Sequence, residues 1–279
     1  MNPANFTFSS KDNLSLFGRA WASEHNKPKG IVLLIHGLGE HTGRYDHVGK
    51  AFVKNGYHLI GFDLRGHGLS EGARGHAPGL RALYDDISSF IEESKQYLGN
   101  DMPSFLYGHS LGGNLVINYL IDNAVDVEGA IVTSPPLQLS TPQPKWKIAL
   151  ANFLGEKIPR ITMKNGLEKD ALSRNSAIVK AYENDSYVHD KISAGLGLIL
   201  FETGSKALKD ADRWNLPLLL MHGTADRITS HDASKTFAQN AGEHITFVSW
   251  KSYYHELHND IDSEKVIEKM INWLDQQVT

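Results

Sequence analysis

A serine set between glycines is the feature of this chain best suited to chemistry. Residues 108–112 read Gly-His-Ser-Leu-Gly, between an apolar run at 105–107 and a second apolar run at 114–120. A G-x-S-x-G segment between a strand and a helix predicts a tight turn that exposes the serine hydroxyl as a nucleophile. Glycines are needed there because side chains at the flanking positions would collide. Because a G-x-S-x-G pattern also occurs by chance in unrelated chains, the interpretation of Ser110 depends on finding a base and an acid.

A serine hydroxyl becomes a good nucleophile when a histidine removes its proton and a carboxylate orients that histidine. In this type of site the chain order is serine, acid, histidine. Asp226 lies in the turn after an apolar run at 216–221, and we predict that it is the acid. Alternatively, Asp226 caps the next helix, a role that Asp232 could also fill. His255 is the predicted base, because it follows the last strand-like run more closely than His258 does.

The oxyanion of an acyl-transfer intermediate needs two backbone N–H donors. The residue after the nucleophile supplies one, and the loop after an early strand supplies the other. We therefore predict the N–H groups of Leu111 and of Leu38, which lies in the His-Gly-Leu-Gly loop at 36–39. The side chain of Leu38 is expected to matter less than its backbone.

Composition excludes several other classes of function. The 279 residues carry a net charge of −4 and no long basic run, so we expect no nucleic-acid partner. Cysteine is absent, which excludes disulfides and thiolate chemistry. His-Glu-Leu-His at 255–258 is one residue short of the H-E-x-x-H zinc pattern, and we expect neither a metal nor an organic cofactor.

Nothing near residue 1 resembles a secretory signal, and no apolar stretch approaches the roughly 20 residues that span a bilayer. A chain without cysteine is compatible with a reducing compartment. We therefore expect a cytoplasmic protein. The sequence does not indicate an oligomeric state.

Short aliphatic runs alternate with helix-like stretches, which predicts a mostly parallel sheet flanked by helices on both faces. The strand-like runs are 30–35, 57–62, 105–107, 130–133, 216–221 and 245–250, with an opening antiparallel hairpin at 6–8 and 14–21. The predicted helices are 44–55, 80–98, 114–123, 233–241 and a last one with Ser263 as its N-cap.

The alternation stops between residues 133 and 216. This stretch contains several prolines, helix-like pieces at 145–154 and 191–209, and no clear strand. We predict a core formed by 1–134 and 213–279, with 135–212 inserted as a helical cap over the edge where open α/β folds bind ligands. The alternative is an ordinary series of peripheral crossover helices.

Five segments in order along the chain, 36–45, 63–72, 108–113, 223–226 and 254–258, resemble the monoglyceride lipase and lysophospholipase group of the α/β-hydrolase superfamily. The resemblance implies the α/β-hydrolase fold with an inserted helical cap. It implies a serine hydrolase for lipid esters, first of all monoacylglycerol cleaved to fatty acid and glycerol through an acyl-enzyme on Ser110. A lysophospholipase or a broad-specificity carboxylesterase is the alternative.

The resemblance also implies further site residues and a lipid surface as partner. Glu40, Arg44 and His258 correspond to the polar residues that line the alcohol side of the pocket. Alternatively, Glu40 and Arg44, four residues apart, form only a local ion pair. In that family an apolar cap helix meets the membrane, and apolar residues of 148–154 could make a transient membrane or micelle contact here or simply pack against the core.

Overall fold

The computed structural model describes residues 2–99 and 102–278, except the side chains of Lys145 and Lys147. Its strands are β1 (Ala4–Ser9), β2 (Ser15–Trp21), β3 (Gly30–Ile35), β4 (Tyr57–Phe62), β5 (Ser104–His109), β6 (Gly129–Thr133), β7 (Thr162–Lys164), β8 (Lys191–Ser193), β9 (Leu218–Gly223) and β10 (Ile245–Trp250). Eight of them form one sheet in the order β1-β2-β4-β3-β5-β6-β9-β10. The β1–β2 and β2–β4 pairs are antiparallel, and the remaining pairs of this sheet are parallel.

Helices cover both faces of this sheet. They are α1 (Asp46–Lys54), α2 (Leu80–Leu98), α3 (Leu111–Asp122), α4 (Lys145–Lys157), α5 (Ser176–Asn184), α6 (Ala194–Lys209), α7 (His231–Ala241) and α8 (Ser263–Gln277). One apolar core includes residues of α2, α3 and α7, and a second core on the other face includes residues of α1 and α8. The central strands are buried along their whole length because both faces are covered, which explains their mostly apolar sequences.

The predicted mostly parallel sheet is confirmed, and several elements match residue by residue. The runs 30–35, 57–62 and 245–250 are strands with these bounds, and 80–98 is a helix. The predicted cap of the last helix is wrong. Ser263 is the first residue of α8, and Asp262 precedes it with left-handed dihedrals and no side-chain cap.

The segment between β6 and β9 contains the helices α4, α5 and α6 and an antiparallel pair of strands, β7 and β8. The expectation that this segment has no strand is therefore wrong. Each of these strands has only three residues, too few to show an alternating pattern. Residues 191–193, expected to be helical, form β8, and the Ser193 hydroxyl caps α6 by accepting from the Leu196 N–H.

In the part of the chain that the structure describes, no helix combines the length and the apolar character needed to cross a bilayer.

Candidate active site

Ser110 occupies the sharp turn between β5 and α3. Its dihedrals, φ 50° and ψ −119°, are in a region that residues with a side chain rarely adopt. The turn requires glycine on both sides. A Cβ on Gly112 would lie 1.9 Å from the carbonyl oxygen of Ile35, and one on Gly108 would lie 2.5 Å from the carbonyl oxygen of Gly112. The Ser110 N–H donates to the Thr133 carbonyl of neighbouring β6 at 2.9 Å, which fixes the turn to the sheet.

The structure brings Ser110, His255 and Asp226 together at the carboxyl ends of the strands. Nε2 of His255 lies 3.0 Å from Oγ of Ser110, and Nδ1 of His255 lies 2.8 Å from Oδ2 of Asp226. An ionised carboxylate can only accept a hydrogen bond, so the proton of His255 is on Nδ1, and the unprotonated Nε2 can accept from the serine hydroxyl. This is the geometry in which a histidine can remove the proton of a serine nucleophile.

The Asp226 carboxylate is buried and surrounded by donors. Oδ1 accepts from the N–H groups of Ile228 and Thr229, at 2.8 and 3.0 Å. Oδ2 accepts from the Thr229 hydroxyl at 2.8 Å, from His222 at 3.0 Å and from His255. Burial raises the pKa of Asp226, but the charge of His255 and the hydrogen bond from His222 outweigh it and hold the pKa well below its usual value. Asp226 is therefore ionised at neutral pH.

Neither aspartate considered as a helix cap plays that role for α7. The hydroxyl of Ser230 accepts from the Ala233 N–H at 3.2 Å and caps the helix. Asp232 lies in the first turn of α7. Asp226 is thus placed by its contacts with the two histidines and with the loop that follows β9.

The imidazole of His255 is buried, which by itself lowers its pKa. The negative charge of Asp226 and the hydrogen bond to it act in the opposite direction and prevail, so the pKa of His255 is raised above 6.5. The backbone around this residue is anchored on both sides. The Ser134 hydroxyl donates to the His255 carbonyl at 2.7 Å, and the Glu256 N–H donates to the Leu172 carbonyl at 2.8 Å.

The predicted oxyanion donors lie in two segments that border Ser110. Leu111 is the first residue of α3, where N–H groups have no partner within the helix. Leu38 lies in the 36–39 loop, which passes very close to the nucleophile, because a Cβ on Gly37 would be 3.1 Å from Cβ of Ser110. The Gly37 N–H donates to Oε1 of Glu40 at 2.6 Å, and this hydrogen bond holds the loop in place.

Glu40, Arg44 and Glu256 form one ionic cluster, which we call the Glu–Arg–Glu cluster. Arg44 donates to Oε2 of Glu40 at 3.0 Å and to both oxygens of Glu256 at 2.6 and 2.7 Å. The local ion pair considered for Glu40 and Arg44 is present. Burial raises the pKa of Glu256, but the charge of Arg44 outweighs it and lowers the pKa to about 2. Glu256 is absent from the predicted site, although it directly follows the predicted base.

His258 lies behind this cluster. Its side chain is fully buried, and its ring stacks on Tyr45 with the ring centroids 4.6 Å apart. Burial, together with the neighbouring His109, holds its pKa well below the usual value. His258 is not among the side chains that line the cavity beside Ser110, and its role on the alcohol side of the pocket stays a prediction.

A cavity of about 180 Å³ lies over Ser110 and is lined by both polar and apolar side chains. Glu40, Glu256 and His255 belong to its polar lining, which we call the polar side. Its apolar lining, which we call the apolar side, includes Leu139, Leu167, Leu172, Ile192, Leu200 and Ile228. All of these apolar residues except Ile228 belong to the segment between β6 and β9, so this segment covers the nucleophile. The cavity therefore offers contacts both to an apolar chain and to a polar group beside the nucleophile.

Comparison with known proteins agrees with this geometry. Residues 26–262 match the family described as "Serine aminopeptidase, S33". An uncharacterised abhydrolase domain-containing protein of Dictyostelium discoideum is 35% identical over 99% of this chain, although the chain spans only 29% of that protein. A monoacylglycerol lipase of Mycolicibacterium smegmatis is 32% identical, with 88% of each chain covered. The crystal structure of Paleococcus ferrophilus monoacylglycerol lipase superposes with a TM-score of 0.83 at 34% identity, covering 99% of this chain and all of that one.

Proposed function

The chain belongs to the serine aminopeptidase S33 family, and we propose that it is a serine ester hydrolase that cleaves monoacylglycerols to fatty acid and glycerol. The observation that carries this proposal is the hydrogen-bonded series from Ser110 through His255 to Asp226, with Ser110 and His255 lining a cavity that has both polar and apolar walls. The names of the Mycolicibacterium smegmatis and Paleococcus ferrophilus proteins support monoacylglycerol as the substrate class.

In the first half of the proposed reaction, His255 takes the hydroxyl proton of Ser110 on Nε2 as Oγ attacks the ester carbonyl. The N–H groups of Leu111 and Leu38 donate to the oxyanion that forms. His255 then gives its proton to the leaving glycerol oxygen, and the acyl group remains on Ser110. Asp226 stays ionised and stabilises the imidazolium.

In the second half, water replaces the alcohol. His255 removes one proton from the water, and the resulting hydroxide attacks the acyl-enzyme carbonyl. The same proton returns to Oγ of Ser110 as the fatty acid leaves. Because His255 carries every proton, each step is balanced by residues of this chain and water.

We propose that residues 135–212 are a cap domain inserted in a core made of 1–134 and 213–279. The apolar side of the cavity comes mainly from this segment and suits the acyl chain. The outer face of α4 exposes Leu150 and Phe153, which are 49% and 56% accessible. We propose that these side chains make transient contact with a membrane or micelle, from which the substrate enters. A cytoplasmic location suits a chain without cysteine.

The proposal is tested by comparing kcat/KM for 1-oleoylglycerol, oleoyl lysophosphatidylcholine and p-nitrophenyl butyrate. We expect 1-oleoylglycerol to be the best substrate and Ser110→Ala to hydrolyse none of the three. Ser88→Ala, on α2 and outside the cavity, is the matched control and should retain activity. A preference for lysophosphatidylcholine would indicate a lysophospholipase, and equal rates with all esters would indicate a broad carboxylesterase.

A further inference from the structure

The polar side of the cavity holds more negative than positive charge. Both oxygens of Glu40 and both oxygens of Glu256 accept hydrogen bonds, as expected for ionised carboxylates, whereas Arg44 is the single guanidinium between them. Burial lowers the pKa of His109, the neighbouring imidazole on the cavity wall, to about 4. His109 is therefore neutral near pH 7, and the cluster has a net charge of −1.

Arg44 is occupied by the two carboxylates. One terminal nitrogen donates to both Glu40 and Glu256, and the other donates to Glu256. The guanidinium also lies over the ring of Tyr182, 4.8 Å from its centroid. An arginine that binds a phosphate does so through a planar pair of N–H donors. In this site that pair of donors already binds Glu256.

The carboxylates nevertheless retain capacity to accept hydrogen bonds. Oε2 of Glu40 and Oε1 of Glu256 each accept a single hydrogen bond, from Arg44, and a carboxylate oxygen has two lone pairs. Both residues line the cavity beside Ser110. A leaving group with hydroxyl donors can bind to these oxygens. A phosphate, which is anionic and mostly an acceptor at neutral pH, would instead meet like charge from two buried carboxylates.

We propose that the Glu–Arg–Glu cluster selects neutral leaving groups that bear hydroxyls and rejects leaving groups that bear a phosphate, and that Glu256 determines this selectivity by supplying the surplus charge. The inference rests on the proposed hydrolysis of monoacylglycerols. It predicts that the same acyl chain on a phosphorylated glycerol is the poorer substrate, because the phosphate meets the surplus negative charge.

The test uses two esters that differ only in the phosphate, 1-hexanoylglycerol and 1-hexanoylglycerol 3-phosphate, whose short chains keep both monomeric. For the unchanged protein we expect kcat/KM to favour the neutral ester by at least about 100-fold. Glu256→Gln keeps the size and an acceptor for Arg44 while removing the surplus charge. We expect it to reduce that preference at least tenfold, mainly through faster hydrolysis of the phosphorylated ester.

Two further variants keep this test decisive. Leu167→Ala, at the apolar side, should change kcat/KM for both esters by the same factor and leave their ratio unchanged. If Glu256→Gln does not fold, as judged by thermal unfolding, Glu40→Gln removes the same charge from the other side of Arg44.

The possible failures are distinguishable. An active Glu256→Gln variant with an unchanged ratio would overturn the inference and leave the proposed function intact. If the unchanged protein hydrolyses p-nitrophenyl hexanoate through Ser110 but neither glyceryl ester, the proposed substrate class is rejected, and this inference with it.

Discussion

Nε2 of His222 lies 3.0 Å from Oδ2 of Asp226, the same carboxylate oxygen that binds His255. His222 is completely buried in β9, and its Nδ1 lies 2.8 Å from the hydroxyl of Ser234. Burial lowers the pKa of His222, so the ring is neutral and donates one hydrogen bond, from Nε2–H, to Asp226. The hydrogen bond from His222 partly neutralises the charge of the Asp226 carboxylate, and this charge is what stabilises protonated His255.

This contact predicts a change in pH dependence. His222→Leu removes the donor, so Asp226 should hold the proton on His255 more strongly and raise the pKa of His255 further. The acidic limb of kcat/KM against pH, which lies above 6.5 because the pKa of His255 is already raised, should move to higher pH. His222→Gln keeps an N–H donor and should move the limb less. Identical profiles for the Leu variant and the unchanged protein would mean that His222 has only a packing role.

The backbone of Leu38 should matter more than its side chain. Leu38→Ala keeps the N–H and should leave kcat within about twofold. Leu38→Pro removes the N–H, and loss of one oxyanion donor costs about 3 kcal/mol, a decrease in kcat of about two orders of magnitude. Thermal unfolding of both variants controls for disruption of the loop. Equal kcat for the Ala variant and a folded Pro variant would exclude the Leu38 N–H as a donor.

The exposed face of α4 should govern binding to lipid surfaces. Changing Leu150 and Phe153 together to serine removes two large apolar side chains from this face. We expect weaker co-sedimentation with phosphatidylcholine vesicles and unchanged hydrolysis of a water-soluble ester. Ile261→Ser, at a residue of similar exposure outside the segment that covers the cavity, is the matched control. Equal sedimentation of the double variant and the control would contradict a membrane contact through α4.

Acid should destabilise the protein through its buried neutral histidines. Burial lowers the pKa of His36, His67, His109, His222 and His258 below 6.5. The unfolded chain therefore takes up protons near pH 6.5 that the folded chain does not, and stability falls as the pH decreases through 6.5 towards the folded pKa values. For His109, whose pKa is about 4, the loss is on the order of 3 kcal/mol.

Urea unfolding between pH 7.5 and 5 measures this loss. His255 acts in the opposite direction, because its raised pKa contributes stability below 6.5 that is lost at higher pH. His67→Asn should reduce the dependence of the free energy of unfolding on pH, and His25→Asn, at an exposed position, should not. A free energy of unfolding that stays constant from pH 7.5 to 5 would contradict the neutral state of these histidines.

Much of the fold could be predicted from local sequence. The buried strand β3 is a nearly continuous aliphatic run, β4 is a mostly apolar one, and the amphipathic pattern of 80–98 predicts the bounds of α2. The strands β7 and β8 could not be predicted, because a strand of three residues is too short to show an alternating pattern. The start of α8 could not be predicted correctly either. Asp262, the residue before the helix, has left-handed dihedrals and makes no side-chain cap, so it lacks the usual features of an N-cap residue.

The sequence could predict only part of the site, because some of its contacts join residues that are far apart in the chain. Ser110, Asp226 and His255 follow strand-like runs, so the topology of the sheet indicates that they meet. Glu256 becomes part of the ionic cluster through its contact with Arg44, which lies 212 positions earlier in the chain. No local pattern reports such a pair. The HG dipeptide at 222–223 marked the end of a strand but not the contact of His222 with Asp226.

The central claim is that the hydroxyl of Ser110 is the nucleophile activated by His255. Reaction with a fluorophosphonate, followed by mass spectrometry of the intact protein and its peptides, measures this directly. We expect one adduct, on the peptide that contains Ser110, with none in Ser110→Ala and much slower labelling in His255→Gln. An adduct on folded Ser110→Ala, or on another serine of the unchanged protein, would contradict the account.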